Sequence, residues 1–420
     1  MTTTRAATAR VERPQIAVLT AVWVMAAVSH IAYGNPHHFF DFKIYYRAAR
    51  WWAHGHDLYS FSQPDRIEGS LAFTYPPFAA VVMRPLAALP VNVALTIFVT
   101  ISVASLLVAV WCLVAPVAVR HGYPAWYGVA LAFPVLSWLE PIRETFGFGQ
   151  VNFILAALVV VDLLVAVPRG SRWAGVGIGL AAAIKLTPAI FVLYLLLTRR
   201  WRPALTAVAT AVGVTLAGAA LMWKDAWRFW TGLLWDTERI GRIDRVQNQS
   251  LMGALARILH VDHPNQLAWT LLAIAILGYG LWRARTAAQS GDEVVGLTLT
   301  GLAGSLVSPV TWSHHLFWFA PALVVLVDAA LDRRDRGRRW LIGLAITLYV
   351  TVTFSVITWY DWHIVPRRSF EKGVPGFLID NWYTLLMLAL LFALPVRGRP
   401  SGSPMAAPQP NHAELVSEPR

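Results

Sequence analysis

Trp173-Ala-Gly-Val-Gly-Ile-Gly-Leu-Ala-Ala-Ala-Ile-Lys185-Leu-Thr-Pro188-Ala-Ile-Phe-Val-Leu-Tyr-Leu-Leu-Leu-Thr198 is apolar along its length except for the Lys-Leu-Thr-Pro run near its middle. Basic clusters close both ends, Arg169 and Arg172 before it and Arg199, Arg200 and Arg202 after it. Positive loops stay on the cytoplasmic side of a bilayer, so the stretch goes up and back as a hairpin with Lys185 at its tip. Each arm, about 12 residues at 1.5 Å per residue, covers only about 18 Å. A broken helix pair at that depth is tolerated only where its backbone lines a protein-walled or watery cavity. A lysine there is a functional candidate. The competing reading is a side chain that snorkels to the nearest interface.

The composition sets the same class. Of 420 residues, 57% are hydrophobic and 14% charged, and the mean hydropathy is +0.52. No soluble domain of this length needs so much apolar surface, so the chain is a polytopic helical membrane protein. Its 20 tryptophans suit aromatic belts at two interfaces. The net charge of +12 speaks for topology rather than nucleic acid, because much of it sits in short loops between apolar runs. With Cys112 as the one cysteine, a disulfide within the chain is excluded. No Walker or dinucleotide glycine fingerprint occurs, which speaks against soluble nucleotide chemistry.

Toward the N-terminus, residues 1–14 form a basic cytoplasmic head, and Ile16 to Tyr33 exits as a retained first span of a transmembrane domain covering 15–396. An external loop follows at 34–90. Within it, Asp41-Phe-Lys-Ile-Tyr-Tyr-Arg-Ala-Ala-Arg-Trp-Trp52 puts Lys43, Arg47, Arg50 and His54 on one helical face and Ile44, Ala48, Trp51 and Trp52 on the other. That is the pattern of a helix lying on a membrane surface, opened by Asp41 either as a cap or as a functional carboxylate. Phe73 to Leu89 is too short to span and reads as a re-entrant or interfacial segment. Val93 to Val119 and Ala125 to Leu139 cross in turn, so the loop from Glu140 to Gln150 is external, with Arg143 and Glu144 either solvated or functional. Val151 to Val167 then descends to the quoted hairpin.

Toward the C-terminus, Pro203 to Met222 exits to an external loop at 224–264, which holds Asn248-Gln-Ser250, an acceptor sequon by pattern. Leu267 to Leu281 descends. Val295 to Val327 repeats the hairpin around Ser308-Pro-Val-Thr-Trp-Ser-His-His315 and ends at Asp332-Arg-Arg-Asp-Arg-Gly-Arg-Arg339, the strongest positive-inside signal in the chain. Trp340 to Trp359 rises, 360–379 form an outer loop, Trp382 to Val396 returns, and 397–420 reads as a disordered cytoplasmic tail. The expected fold is an all-α polytopic membrane protein of about 12 transmembrane segments, including two short-helix hairpins, with an external surface helix. In that topology Asp41, Glu140 to Gln150, Lys185, Arg239 to Ser250 and His314/His315 share the outer face, which one assembled external site explains. His314 and His315 also read as helix-packing residues, and metal ligation by them lacks carboxylate partners identifiable from spacing.

Together these strings resemble family 87 of the GT-C glycosyltransferases, integral-membrane mannosyl- and arabinosyltransferases of actinobacterial cell-envelope lipoglycans. The likeness rests on Phe40-Asp41 and the Tyr-rich helix after it, Phe73-Thr-Tyr-Pro-Pro-Phe-Ala-Ala-Val-Val82, Glu140-Pro-Ile-Arg143 through Phe146, Gly149-Gln-Val-Asn152, Lys185-Leu-Thr-Pro-Ala189, Asn248-Gln-Ser250, and Ser308-Pro through Trp312-Ser-His-His315. Within the family it is similar to the polyprenyl-phosphate-mannose-dependent α-(1→2)-mannosyltransferases that elaborate lipomannan, lipoarabinomannan and phosphatidylinositol mannosides.

The resemblance implies a GT-C-like fold in the cell membrane with its active site on the external face, no cofactor, no metal ligands and no nucleic-acid partner. Its substrates would be polyprenyl-phosphate-mannose and a lipoglycan or glycolipid acceptor. It implies inverting transfer with Asp41 as the expected carboxylate and His314 or His315 as partner or rival. Arg143 and Lys185 suit the donor phosphate, because a buried cation stabilises charge growing on the leaving group. Tyr45, Tyr75, Glu140, Gln150, Asn152, Asn248, Gln249 and Trp312 are the candidate substrate contacts. An arabinofuranosyltransferase using polyprenyl-phosphate-arabinose is the alternative within the family. A lipid-linked-sugar flippase or transporter is the alternative class, but its polar residues should trace a path through the membrane rather than gather on one side.

Overall fold

The computed structural model describes residues 11–65, 69–358 and 373–398. The head at 1–10, most of the outer loop expected at 360–379 and the tail from residue 399 lie outside the described residues. In chain order the helices are α1 (Arg13–Tyr33), α2 (Phe40–Ala53), α3 (Pro77–Ala87), α4 (Val91–Arg120), α5 (Ala125–Ser137), α6 (Glu140–Phe148), α7 (Asn152–Val161), α8 (Val176–Ile184), α9 (Ile190–Leu197), α10 (Trp201–Leu221), α11 (Trp223–Thr231), α12 (Leu251–Leu259), α13 (Gln266–Gln289), α14 (Glu293–Val307), α15 (Phe319–Asp332), α16 (Arg336–Thr353), α17 (Gly373–Asp380) and α18 (Trp382–Ala393). A two-stranded antiparallel hairpin, β1 (Ser62–Asp65) with β2 (Gly69–Ala72), sits between α2 and α3.

The chain is an all-α membrane protein. Among the described residues α1, α4, α10 and α13 are long and apolar enough to cross a bilayer, and α17 with α18, bent by 64°, makes a fifth candidate. The 30 residues of α4 reach about 45 Å. Three expectations change. Glu140 to Gln150 is not a loop, because α6 starts with Glu140-Pro141 and stops at Gly149 in a left-handed conformation, the ordinary start and stop of a short helix. Asp41 is not the cap of α2, since the cap position is Phe39 and no side chain bonds there. Within the expected outer loop, 373–380 is helical.

Both broken hairpins form. The first arm, α8, ends because Pro188 forbids continuation, and Lys185 takes an extended conformation (φ −146°, ψ 129°). Two close approaches fix the direction of this arm. A side chain at Gly175 would strike the Pro203 carbonyl and one at Gly179 the Ala207 carbonyl, so α8 runs parallel to α10. The second arm runs back: Tyr194 Oη donates to Glu293 Oε1 at 2.7 Å, while the Cβ of a residue at Gly304 would lie 3.2 Å from Ile190. Thus α9 is antiparallel to α14, and the start of α14 lies at the same end as Arg200, which pairs with Glu293 at 2.5 Å. Tertiary contact between α14 and α15 closes the second hairpin, with Ser308 to Trp318 at its tip.

The end opposite the tips is held by charge. Asp328, fully buried, accepts Arg120, His121 and Arg397, and Arg397 also bonds Asp292 at the start of α14. His121, Asp328 and Asp332 come close enough to share an ion, but Arg120 and Arg397 already neutralise that carboxylate. The node ties α4, α14, α15 and the residues after α18 together. Asp328→Ala strands these cations and is expected to cost about 3 kcal/mol. Its thermal midpoint in detergent should fall, and an unchanged midpoint would show that the node is solvated rather than structural.

Candidate active site

Gly149 begins the site. Its φ of 69° suits glycine, and a Cβ there would fall 2.8 Å from Phe42 Cβ, so only glycine lets the end of α6 press against α2. The backbone N–H of Phe39 also donates to the Gly147 carbonyl at 3.0 Å. This close packing delivers Gln150 to Asp41 on α2.

The orientation of Gln150 follows from its partners. Its Oε1 accepts from Tyr45 Oη at 2.7 Å and Tyr75 Oη at 2.9 Å, so the amide nitrogen must point the other way. That nitrogen donates to Asp41 Oδ2 at 2.5 Å and lies 3.4 Å from His314 Nε2. Gln150 thereby joins α2 to the second hairpin tip.

The two tips meet beside it. Lys185 Nζ donates to Asn152 Oδ1 at 3.2 Å and lies 3.0 Å from His315 Nε2. It also sits 5.4 Å from the centre of the Tyr75 ring, within cation–π range. Asn152 Nδ2 and Thr145 Oγ1 both donate to the His314 carbonyl, at 2.9 Å and 2.8 Å, and hold the histidine turn in place. Asp41, Lys185, His314 and His315, dispersed over 275 positions of sequence, thus form one cluster.

Burial raises the Asp41 carboxyl from its usual range to about 6, with the Gln150 bond and the charges of Lys185 and His37 offsetting only part of the effect. A carboxylate poised there is a usable proton acceptor near neutral pH. Glu140, buried and hydrogen-bonded by Tyr383, is pushed up to about 7, chiefly by desolvation. For Glu144 burial acts upward as well, yet His37, Tyr33 and Arg143 outweigh it and hold its carboxyl below the usual range.

The remaining candidates have protein partners. Arg143 donates to the Thr353 carbonyl at 3.1 Å and to Ser355 Oγ at 2.6 Å, and stacks 4.6 Å over the Tyr33 ring, sharing no partner with Lys185. Asn248, fully buried, donates to Ile243 and Pro309 carbonyls and accepts the Thr311 N–H. Gln249 braces Asp380 and Thr384. These two residues therefore buttress the second tip. Trp312 bridges to Asn248 and turns its N–H toward His315 Nδ1 at 3.2 Å. Glu140 sits against Tyr383 and Ser313 rather than against Asp41.

Sequence reading passed over His37, Thr145 and Tyr383. His37 pairs with Glu144 and stacks on Phe148 at 3.8 Å, so it knits the start of α2 to α6. The Pro36-His37-His38 run directly before the Asp41 motif was a usable signal for it. No local signal marked Tyr383, which meets Glu140 from 243 residues away.

Comparison with known proteins bears on the family. The family description Glycosyltransferase family 87 matches residues 73–309, a range that holds Tyr75, Gln150 and Lys185 and stops short of Asp41, His314 and His315. The chain is 36% identical over 338 residues to a polyprenol-phosphate-mannose-dependent alpha-(1-2)-phosphatidylinositol mannoside mannosyltransferase of Mycobacterium tuberculosis, covering 75% of this chain and 77% of the relative. It is 38% identical to the protein of the same description from Mycolicibacterium smegmatis, covering 74% and 76%. An alpha-(1->3)-arabinofuranosyltransferase of Mycobacterium tuberculosis is 27% identical over 336 residues, covering 77% and 73%. No solved structure matches the chain. A family match over more than half of the chain, with sequence likeness to sugar transferases over three quarters of its length, shows the family: the chain is a glycosyltransferase and belongs to glycosyltransferase family 87.

Proposed function

We propose that the protein transfers mannose from polyprenyl-phosphate-mannose to an external phosphatidylinositol mannoside or related lipoglycan acceptor, forming an α-(1→2) linkage with inversion. The observation that carries this reading is the carboxylate of Asp41 held by Gln150 opposite the Lys185–His315 pair. Such an arrangement has a proton acceptor on one side and a cation on the other, which is what displacement of a phosphate from a sugar requires. The acceptor oxygen attacks C1 of the mannose, its proton passes to Asp41, and the C1–O bond to phosphate breaks. The electron pair leaves on the polyprenyl phosphate, whose charge Lys185 stabilises. The identity to mannosyltransferases, 36% and 38%, against 27% to an arabinofuranosyltransferase, favours mannose as the sugar.

The topology belongs to the same proposal. Basic residues Arg120, Arg200 and Arg397 lie at the end opposite the hairpin tips, which by the positive-inside rule supports a site on the external face. Counting the arms of both hairpins, the chain then makes about 12 crossings, with α2 lying at the outer surface. Membranes containing the intact protein, given radiolabelled polyprenyl-phosphate-mannose, should label a phosphatidylinositol mannoside through a bond that an α-(1→2)-specific mannosidase releases. Label no higher than in membranes lacking the protein, or label from the arabinose donor alone, overturns the reading.

A further inference from the structure

Below the two tips lies a cavity of about 70 Å³ between α7, α9 and α14. Lys185, His315 and Asn152 supply polar lining, and the rest of the walls are mostly apolar, among them Ala156, Val159, Ile190, Phe191 and Trp318, with Ser305 on the α14 side. The Asp41–Gln150 contact plays no part in it. Given the donor chemistry of the proposed function, on which this step rests, we propose that the cavity seats the first isoprene unit of the polyprenyl carrier.

Size, polarity and direction all point to that occupant. A water-sized group needs about 10–15 Å³ of such space, so the cavity of about 70 Å³ takes roughly five to seven of them, room for the five heavy atoms of one isoprene unit. The sugar is the wrong occupant. A hexose brings hydroxyls on every face, whereas these walls supply few free partners, and the Thr311 hydroxyl is already committed to the Ser305 carbonyl at 2.7 Å. The donor phosphate beside Lys185 has two ester oxygens, one on mannose C1 and one on the carrier, and the carrier's first carbon needs an apolar surface next to the phosphate. The same lysine lines the cavity. The Phe191 and Trp318 rings, with centroids 5.1 Å apart, offer flat walls to a planar, methyl-branched double bond. An unbranched chain entering the same space would leave the branch position unfilled.

The carrier should therefore be read at its first unit. The intact protein in detergent is assayed with mannosyl phosphate on polyprenol and on an unbranched saturated alcohol of equal length. The expected kcat/KM is at least about tenfold higher for the polyprenyl donor, the usual value of a methyl group in a fitted apolar pocket. Ala156→Leu and Ser305→Leu fill the space from different walls. Each should raise KM for the polyprenyl donor by about tenfold with kcat nearly unchanged, and shrink the preference between carriers. Polyprenyl monophosphate, which carries no sugar, should compete with the donor, with an inhibition constant raised by the same factor in both variants. Equal use of the two carriers by the unaltered protein overturns the proposal, as does wild-type inhibition in both filled variants. Where neither donor is used by the unaltered protein, the proposed function falls. Direct binding of polyprenyl monophosphate, compared between the unaltered and filled proteins, then decides the cavity separately.

Discussion

Asp41→Asn is expected to lower mannosyl transfer by about 10²–10⁴-fold, the range for loss of a general base. The substitution keeps the side-chain shape, and Gln150 remains anchored by Tyr45 and Tyr75. Stability should move the other way. The Asp41 carboxyl ionises at about 6 in the folded protein instead of its usual value near 3.8, mainly because burial disfavours the charge. A raised folded value means that this group's contribution to stability is fully present below the unfolded value and is lost as pH rises through about 6. Above that pH the ionised carboxylate burdens the fold, and asparagine relieves it. The variant should thus be at least as heat-stable as the parent at pH 7.5 while nearly inactive.

The pH profile gives a second reading of the same residue. A base must be unprotonated, so transfer should rise with pH through about 6 and then level, the limb being set by Asp41. His314→Ala should keep that limb if histidine only orients the acceptor. An Asp41→Asn protein that inserts normally and transfers at near the parental rate would return the role of base to His314 or His315.

How far the sequence carried depended on whether a feature was local. The hairpins were legible because apolar length and flanking arginines are properties of a short stretch, and Lys185 and His315 stood out because charge inside a membrane is rare. Their meeting at 3.0 Å is the structural form of that rarity. Polar residues between the apolar runs were not legible in the same way. Asn248 and Gln249 follow the family strings, yet their partners come from Pro309, Thr311 and Asp380, far along the chain, and no spacing rule reports that pairing. The helix α6 was legible in principle from its Glu-Pro start and Gly149 stop, but its position in a polar stretch between spans read as a loop. For Asp41, helix periodicity found the helix, while the role proposed for it depends on Gln150, which only the packing of Gly149 on Phe42 brings near.

Lys185→Met should lower transfer by about 10²–10³-fold, as removal of a donor that stabilises developing negative charge does elsewhere. The methionine is similar in length and leaves no stranded charge, so the protein should insert and fold; the loss is one of charge at the leaving phosphate. Part of it should appear in kcat, since that charge grows during the displacement, and not in KM alone. Arg143→Met supplies the contrast. Its guanidinium bonds the Thr353 carbonyl and Ser355, lies over the Tyr33 ring and pairs with Glu144, and its loss unpins α6 from the end of α16. That variant should therefore be less heat-stable, with transfer per folded molecule reduced far less than for Lys185→Met. If instead both variants lose transfer equally at unchanged stability, Arg143 reaches the donor phosphate after all. If Lys185→Met transfers at the parental rate, its ammonium does not serve the leaving group, and the Lys185–His315 contact is a packing contact between two hairpin tips.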